Sequence, residues 1–242
     1  MKTDQLYPLT KRDFPRAIKI LCHCFVNDPL YQKLIPQEHI RLQALPELFT
    51  CDLHEMFSNC DVYSDSPEVN GLLIADDETE DYNPFQFYST EAFYALKTDA
   101  YLIKEDFSLK TLRNFFVGRN YLNSQWLEEL DTDRRIHIIY LAVAPEKQGT
   151  GIAHRLLLPV LEYADQNGLL VTLETHNPRN VAFYRNYGFE TFEKELQGSF
   201  DLIQYCLIRK PGQPIPPWPL PKHGSECCGG RDCCSSPPDH IK

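Results

Sequence analysis

Nowhere in this 242-residue chain do eighteen apolar residues run together, so no segment reads as a membrane-spanning helix. Positive charge is in deficit: 24 Lys and Arg stand against 34 Asp and Glu, a net charge of −10. A general nucleic-acid binder needs a basic face, and this composition argues against one. It is compatible with a cationic substrate. The opening residues, MKTDQLYPLTKRDF, lack the apolar core of a signal peptide, so a soluble cytoplasmic protein is expected. Glycine motifs for nucleotides are incomplete. The one turn with two closely spaced glycines lacks the third Gly of the dinucleotide fingerprint, and no Gly-Lys-Ser/Thr follows it. Cysteines number nine, but Cys22, Cys24, Cys51, Cys60 and Cys206 show no framework spacing and read as buried thiols in a reducing compartment.

What is present suffices for a sizeable core: 43% hydrophobic and 12% aromatic residues. The organising stretch is His137 to Glu190. His137 to Val143 is an apolar, β-branched run ending near Pro145, and it predicts a largely buried strand. Gln148-Gly149-Thr150-Gly151 makes a turn. Ile152 to Gln166 places Leu156, Val160, Tyr163 and Ala164 at helical spacing and stops at Asn167-Gly168. Leu169 to Thr175 is a second strand, so the stretch predicts a βαβ unit. The first turn of a helix leaves N–H groups without partners. Gly149 and Gly151 clear the approach to them, and Thr150 adds a hydroxyl. Such a turn suits a pyrophosphate, with the helix dipole adding roughly 0.3–1 kcal/mol. It also fits an ordinary strand-to-helix connection.

Gln148-Gly149-Thr150-Gly151-Ile152-Ala153 resembles the Q/R-x-x-G-x-G/A motif of the GNAT acyltransferase superfamily, placed after a strand ending Leu-Ala-Val-Ala-Pro. About thirty residues on, Asn177-Pro178-Arg179-Asn180-Val181-Ala182-Phe183-Tyr184 and then Tyr187-Gly188-Phe189 resemble its second signature. The resemblance covers 135–208 strongly and 8–76 more loosely, and is closest to the small-molecule branch that includes puromycin N-acetyltransferases. It implies acyl-CoA binding, with acetyl-CoA as cosubstrate, and transfer to an amine. It further implies that Leu141, Ala142 and Val143 line the pantetheine arm, that Gln148 to Ala153 hold the pyrophosphate through backbone N–H groups, and that Asn180 bonds the cofactor arm. Asn177 reads better as a helix cap before Pro178.

Holding amine and thioester in line supplies much of the rate, so an acid and a base need only modest tuning. By the resemblance, Tyr184 is the general acid. A phenol of pKa about 10 suits a thiolate of pKa about 8.5. A Tyr stacking on the pantetheine or packing in the core is the other reading. His137 opens the fourth strand, where some relatives carry a glutamate base, and an imidazole of pKa near 6.5 fits proton removal. A buried or rim histidine is the alternative. Glu174, with His176 beyond it, is either a base or a grip on the acceptor ammonium.

Elsewhere, Thr10 to Phe25 predicts a helix capped by Thr10, and Glu38 to Phe57 a second, kinked or broken at Pro46. Between them, Cys24 to Tyr31 resembles the segment that folds over the acceptor pocket, making Phe25, Asp28 and Tyr31 candidate substrate contacts. The alternative is a polar turn with two core aromatics. Asp61 to Ser64 and Gly71 to Ala75 predict a strand pair, and Asp76 to Asp81 a solvated acidic loop. Pro84 to Asp131 predicts irregular helices, broken near Asn120 and Asn123, covering the acceptor side. Glu190 to Glu195 and Phe200 to Lys210 close the sheet. The Pro-rich segment 211–224 predicts an extended run along the domain. After it, Cys227, Cys228, Cys233 and Cys234 lie between His223 and His240. Adjacent cysteines rarely aim both sulfurs at one ion, so an oxidisable disordered tail is expected; a metal site and a lipidated or disulfide-linked tail remain open.

Together these predict an α/β GNAT fold over 1–210, a mixed, mostly antiparallel sheet of six or seven strands with helices on both faces, followed by a tail over 211–242. The expected function is N-acetylation of a small primary amine, with no metal, nucleic acid or membrane partner. Acetylation of a protein lysine or N-terminus, and a silent CoA-binding module, are the alternatives.

Overall fold

A computed structural model describes residues 1, 3–80, 84–106, 109–118, 124–197 and 201–219, with the side chains of 84–87 and 194–197 excepted. The paired cysteines, His223, His240, Asn120 and Asn123 lie outside the described residues.

Seven strands form one sheet in the order β1-β2-β3-β4-β5-β7-β6. They are β1 (Tyr7–Pro8), β2 (Asp61–Ser64), β3 (Gly71–Asp77), β4 (Arg135–Val143), β5 (Leu170–Thr175), β6 (Glu190–Gln197) and β7 (Leu202–Arg209). Every pairing is antiparallel except β4 with β5. That one parallel pair needs a crossover, which α6 (Ile152–Asn167) supplies. Helices α1 (Phe14–Phe25), α2 (Pro29–Leu34) and α3 (Glu38–Asn59) pack the opposite face. Strand β3 shows why two layers form. Leu72 and Ile74 join the core under α1–α3, while Leu73 and Ala75 join the core under α6, so the run Gly-Leu-Leu-Ile-Ala is buried on both faces. Helices α4 (Pro84–Glu105) and α5 (Lys110–Val117) follow β3, and α7 (Pro178–Arg185) follows β5.

The expected strands, crossover helix and closing hairpin are all present. Gly168 ends α6 in the left-handed conformation, φ +65°, as the Asn-Gly pair predicted. Three local expectations need correction. Helix α1 starts at Phe14, and Thr10 does not cap it; its N–H and hydroxyl both donate to Asp13 Oδ2 at 2.8 Å. Pro46 does not break α3, which runs continuously across it. The acidic run is not a solvated loop at its start, because β3 continues through Asp77. Asp77 is buried 3.3 Å from the Met1 ammonium, and Glu78 pairs with Arg135 at 2.6 Å. Among the described residues no helix is long and apolar enough to cross a membrane.

Candidate active site

Strands β4 and β5 pair only from Arg135–Leu170 to Ile138–Leu173, then part. Ala144 N–H donates to Asn70 O on the β3 side at 2.8 Å. Because backbone groups alternate along an antiparallel pair, Ala142 then faces β3, while Leu141 and Val143 turn their N–H and C=O toward the gap left by β5. This is an open sheet edge inside the molecule. It suits an extended amide-bearing arm, and Leu141 and Val143 fit that role where Ala142 does not. The Val143 carbonyl already accepts from Cys24 Sγ at 3.3 Å and Gln148 Nε2 at 3.2 Å.

Below this edge lies the turn into α6. Gly151 is its N-cap, at φ +86°, and Gly149 has φ +76°. Both are backbone conformations that side-chain-bearing residues rarely adopt. Within the turn, Gln148 N–H bonds Pro145 O and Thr150 N–H bonds Lys147 O, at 3.3 and 3.4 Å. The Thr150 hydroxyl also donates to Lys147 O, at 2.7 Å. Gln148 and Thr150 therefore shape the turn, which removes them as backbone donors for a phosphate. Gly151, Ile152 and Ala153 stand at the start of the helix, where N–H groups have no intrahelical partner and the dipole favours an anion.

Where the strands part, a cavity of about 1010 Å³ opens. Tyr184, Asn180, Glu174 and Leu141 line it, as do Phe25, Asp28 and Tyr31 from across the sheet. The fold thus brings together the predicted acid, cofactor-arm residue and acceptor contacts, which lie up to about 159 positions apart in the chain. Tyr184 is buried, and desolvation, followed by the nearby Tyr187, raises its pKa; the phenol keeps its proton. Asn180 Nδ2 donates to Thr175 Oγ1 at 3.0 Å. Asn177 caps α7 by accepting from Arg179 N–H at 3.1 Å, as its place before Pro178 suggested. Asp28 does the same for α2, accepting from Leu30 N–H at 2.9 Å. Phe25 stacks edge-on with Tyr31 and Tyr140, at centroid distances of 6.0 and 5.4 Å.

His137 is not on the cavity wall. It is buried, with Nδ1 3.0 Å from Thr172 Oγ1 and Nε2 3.3 Å from Glu174 Oε2. Thr172 donates to Ile136 O, so it is left to accept from Nδ1–H. Burial pulls the imidazole pKa down, but the Glu174 charge and hydrogen bond outweigh it, and the net movement is upward. Conversely, burial pushes Glu174 up while His137, Ser124 and Trp126 together bring it below the ordinary carboxylate value. Ser124 Oγ donates to Glu174 Oε1 at 2.5 Å and Trp126 Nε1 to Oε2 at 3.1 Å. A histidine engaged at both nitrogens is not a free base, nor is a carboxylate holding three donors. The pair is an internal ion bridge whose Glu174 end reaches the cavity. His176, on the cavity wall, has its pKa pulled to about 4 by burial and is neutral.

The groups that sequence reasoning missed lie on α3. Asp52 Oδ2 accepts from the Tyr140 hydroxyl at 3.0 Å, and Tyr140 meets the Tyr31 hydroxyl at 3.2 Å. Burial raises Asp52 from 3.8 to about 6. Burial, then the charges of Asp52 and Glu91, raise Glu55 from 4.5 to about 7. A signal existed: Asp52 falls seven residues after Leu45 and four after Leu48, on the stripe that α3 buries. Among the described lining residues, six carboxylates (Asp28, Asp52, Glu55, Glu91, Asp99 and Glu174) face one guanidinium, Arg113. No cluster of metal-ligating type occurs among the described residues.

The mixed sheet parts at its one parallel pair, and a Gly-capped helix lies below the gap. The model of the acetyltransferase (GNAT) family matches residues 72–189. The chain is 18% identical to a solved protein of Corynebacterium glutamicum described as histone acetyltransferase HPA2 and related acetyltransferase; the match has a TM-score of 0.57 and covers 86% of this chain and 97% of that one. It is 12% identical, with a TM-score of 0.50, to the C-terminal condensation domain of Ebony, solved with beta-alanyl-dopamine, over 85% of this chain and 97% of that one. An uncharacterized N-acetyltransferase of Schizosaccharomyces pombe is 33% identical over 63 residues, 26% of this chain. That alignment spans 25% of the curated relative's length. Over residues 72–189 the chain is similar to the acetyltransferase (GNAT) family, and its mixed sheet shares the fold of these solved structures.

Proposed function

We propose that this protein acetylates a small primary amine, using acetyl-CoA, by direct transfer in a ternary complex. The reading places it with the small-molecule, puromycin N-acetyltransferase-like branch of the superfamily and in the cytoplasm. The observation that carries it is the acid-lined cavity opening from the parted strands beside Tyr184. An ammonium is the ligand that six carboxylates and one guanidinium favour. Helices α3, α4 and α5 supply much of the cavity wall, which suits a small acceptor over a protein surface.

Bound acetyl-CoA supplies an activated thioester. The chain's own residues do the rest. Gly151, Ile152 and Ala153 offer backbone donors to the diphosphate, and Leu141 and Val143 extend the sheet edge along the pantetheine arm. Asn180 orients that arm. Asp52 and Glu55, with pKa values near neutrality, attract the acceptor ammonium and take its proton. Glu174, fixed by Ser124, Trp126 and His137, holds negative charge at the cleft. Tyr184, protonated, donates toward the departing sulfur.

Calorimetric titration of acetyl-CoA, followed by an amine screen comparing wild type with Tyr184→Phe, tests this. Wild type is expected to bind. The variant should keep binding and lose about 10²–10⁴-fold in kcat, the range for a positioned acid. Absence of acetyl-CoA binding by wild type would sink the reading, and an unchanged kcat in Tyr184→Phe would remove that residue from its role.

A further inference from the structure

The segment after β7 is held to the domain at successive points. Gly212 N–H donates to Asp165 Oδ1 at 2.7 Å, and Arg209, itself bidentate to Asp165 at 2.7 and 2.9 Å, donates to Gln213 O at 2.5 Å. A Cβ on Gly188 would sit 2.7 Å from Gln213 Cβ. Ile215 packs against the core under α6. Residues 211–219 thus form a strap whose course ends at the phosphate-type turn. There Trp218 lies against His154 of α6, with ring centroids 5.9 Å apart and the planes tilted by 35°. Its indole covers Gly151 so closely that a Cβ at 151 would lie 2.8 Å from Trp218 Cε2 and 2.9 Å from Nε1. Gly151 is therefore demanded twice, by its φ of +86° and by the indole on its Cα.

The position of the nitrogen matters. Nε1–H is a donor only, it lies beside the turn that presents the Gly151, Ile152 and Ala153 N–H groups, and among the described residues it has no acceptor. Trp218 keeps 43% of its surface exposed, so its anchoring does not come from burial in the core.

We propose that Trp218 is a cofactor-binding residue. The strap holds the indole as the outer wall of the diphosphate cradle, where it packs on Gly151 and donates Nε1–H to the diphosphate of an acyl-CoA. The proposal rests on the acetyl-CoA reading above and extends the cradle beyond the family-matched region, which ends at residue 189.

The test compares wild type, Trp218→Ala and Trp218→Phe with acetyl-CoA and with S-acetylpantetheine, which has the same thioester arm and no diphosphate. The alanine variant should bind acetyl-CoA about tenfold more weakly, the loss typical of one charge-assisted hydrogen bond with its packing. S-acetylpantetheine, measured by displacement, should compete equally well against both proteins. Phenylalanine, which restores the wall without the donor, should fall between. The change in tryptophan fluorescence on adding CoA should be largely lost in Trp218→Phe. Wild type that fails to bind acetyl-CoA refutes the acetyltransferase reading. Wild type that binds while Trp218→Ala binds equally, or loses both ligands alike, refutes the role of Trp218 alone. Tighter binding by Trp218→Ala overturns it in the opposite sense, making the strap a plug.

Discussion

Replacing Asp52 by Asn should stabilise the protein while harming its use of substrate. Asp52 is a carboxylate on the wall of the acceptor cavity, where its Oδ2 accepts a hydrogen bond from the Tyr140 hydroxyl at 3.0 Å. Burial raises its pKa from 3.8 to about 6. The sign follows from proton linkage. Between pH 4 and 6 the folded state holds a proton that the unfolded state has released, so stability falls as pH rises. Above pH 6 the full penalty is present, and below pH 4 it vanishes. At about 1.36 kcal/mol per tenfold change in proton affinity, the rise corresponds to at most about 3 kcal/mol. The cavity admits solvent, so about 1–3 kcal/mol is the working range. Asparagine keeps an acceptor for Tyr140 and removes the charge. At pH 8, Asp52→Asn should therefore melt higher, at roughly 2–4 °C per kcal/mol for a chain of this size. The acceptor KM should rise, because an ammonium loses a counter-charge. Thermal unfolding at pH 4 and pH 8, with steady-state kinetics on the best amine, reads both. A variant less stable than wild type at pH 8, or equally displaced at both pH values, would refute the reasoning. It would mean that the carboxylate is stabilised by neighbours rather than held for a ligand.

The His137–Glu174 pair predicts a different pH signature. Glu174, lowered, contributes stability above its ordinary value of 4.5 and loses it as pH falls through its folded pKa; His137, raised, contributes below 6.5 and loses it as pH rises through its folded pKa. Glu174→Gln should cost about 2–3 kcal/mol at pH 6, because donors of three side chains lose a charged acceptor, and less at pH 9. A loss in denaturant midpoint that is independent of pH would exclude the ion pair. Gly71→Ala introduces a methyl group 2.7 Å from Ile152 Cγ2 and 3.0 Å from the Ala142 carbonyl. It should cost about 1–3 kcal/mol in chemical denaturation and weaken acetyl-CoA binding through the start of α6. Wild-type stability in this variant would show that the β3–α6 contact yields freely.

Much of the architecture follows from local chemistry. The apolar runs at 137–143 and 169–175, with a helical period between them and Asn-Gly at its end, specify strand, helix and strand. A parallel neighbour for β4 follows, since a crossover helix allows nothing closer. Gly149 and Gly151 mark backbone that other residues resist. Asn177 before Pro178 caps a helix on chemistry visible within three residues. The resemblance then supplied Tyr184 and Asn180, and both line the cavity.

Electrostatics and long-range pairing were not legible. His137 reads as a base because an isolated imidazole titrates near 6.5; only the fold sets it 3.3 Å from Glu174 and walls it in. Gln148 and Thr150 look like phosphate donors until the turn closes and bonds their N–H groups to Pro145 and Lys147. The segment 76–77 is acidic enough to read as loop, yet β3 carries it inward to meet the Met1 ammonium. Asp52 and Glu55 lie in a stretch read only as helix, and their pKa values are properties of a cavity built from elements far apart in the chain. Trp218, 67 residues from Gly151, sits in a proline-rich run whose composition says extended and nothing about destination. Sequence alone determined most of the secondary structure and the chemistry available at most turns, because those depend chiefly on neighbours within a few residues. The tertiary structure alone decided which charges lose water, which donors stay free and which side chain covers the cradle, because each depends on groups brought together only when the sheet closes.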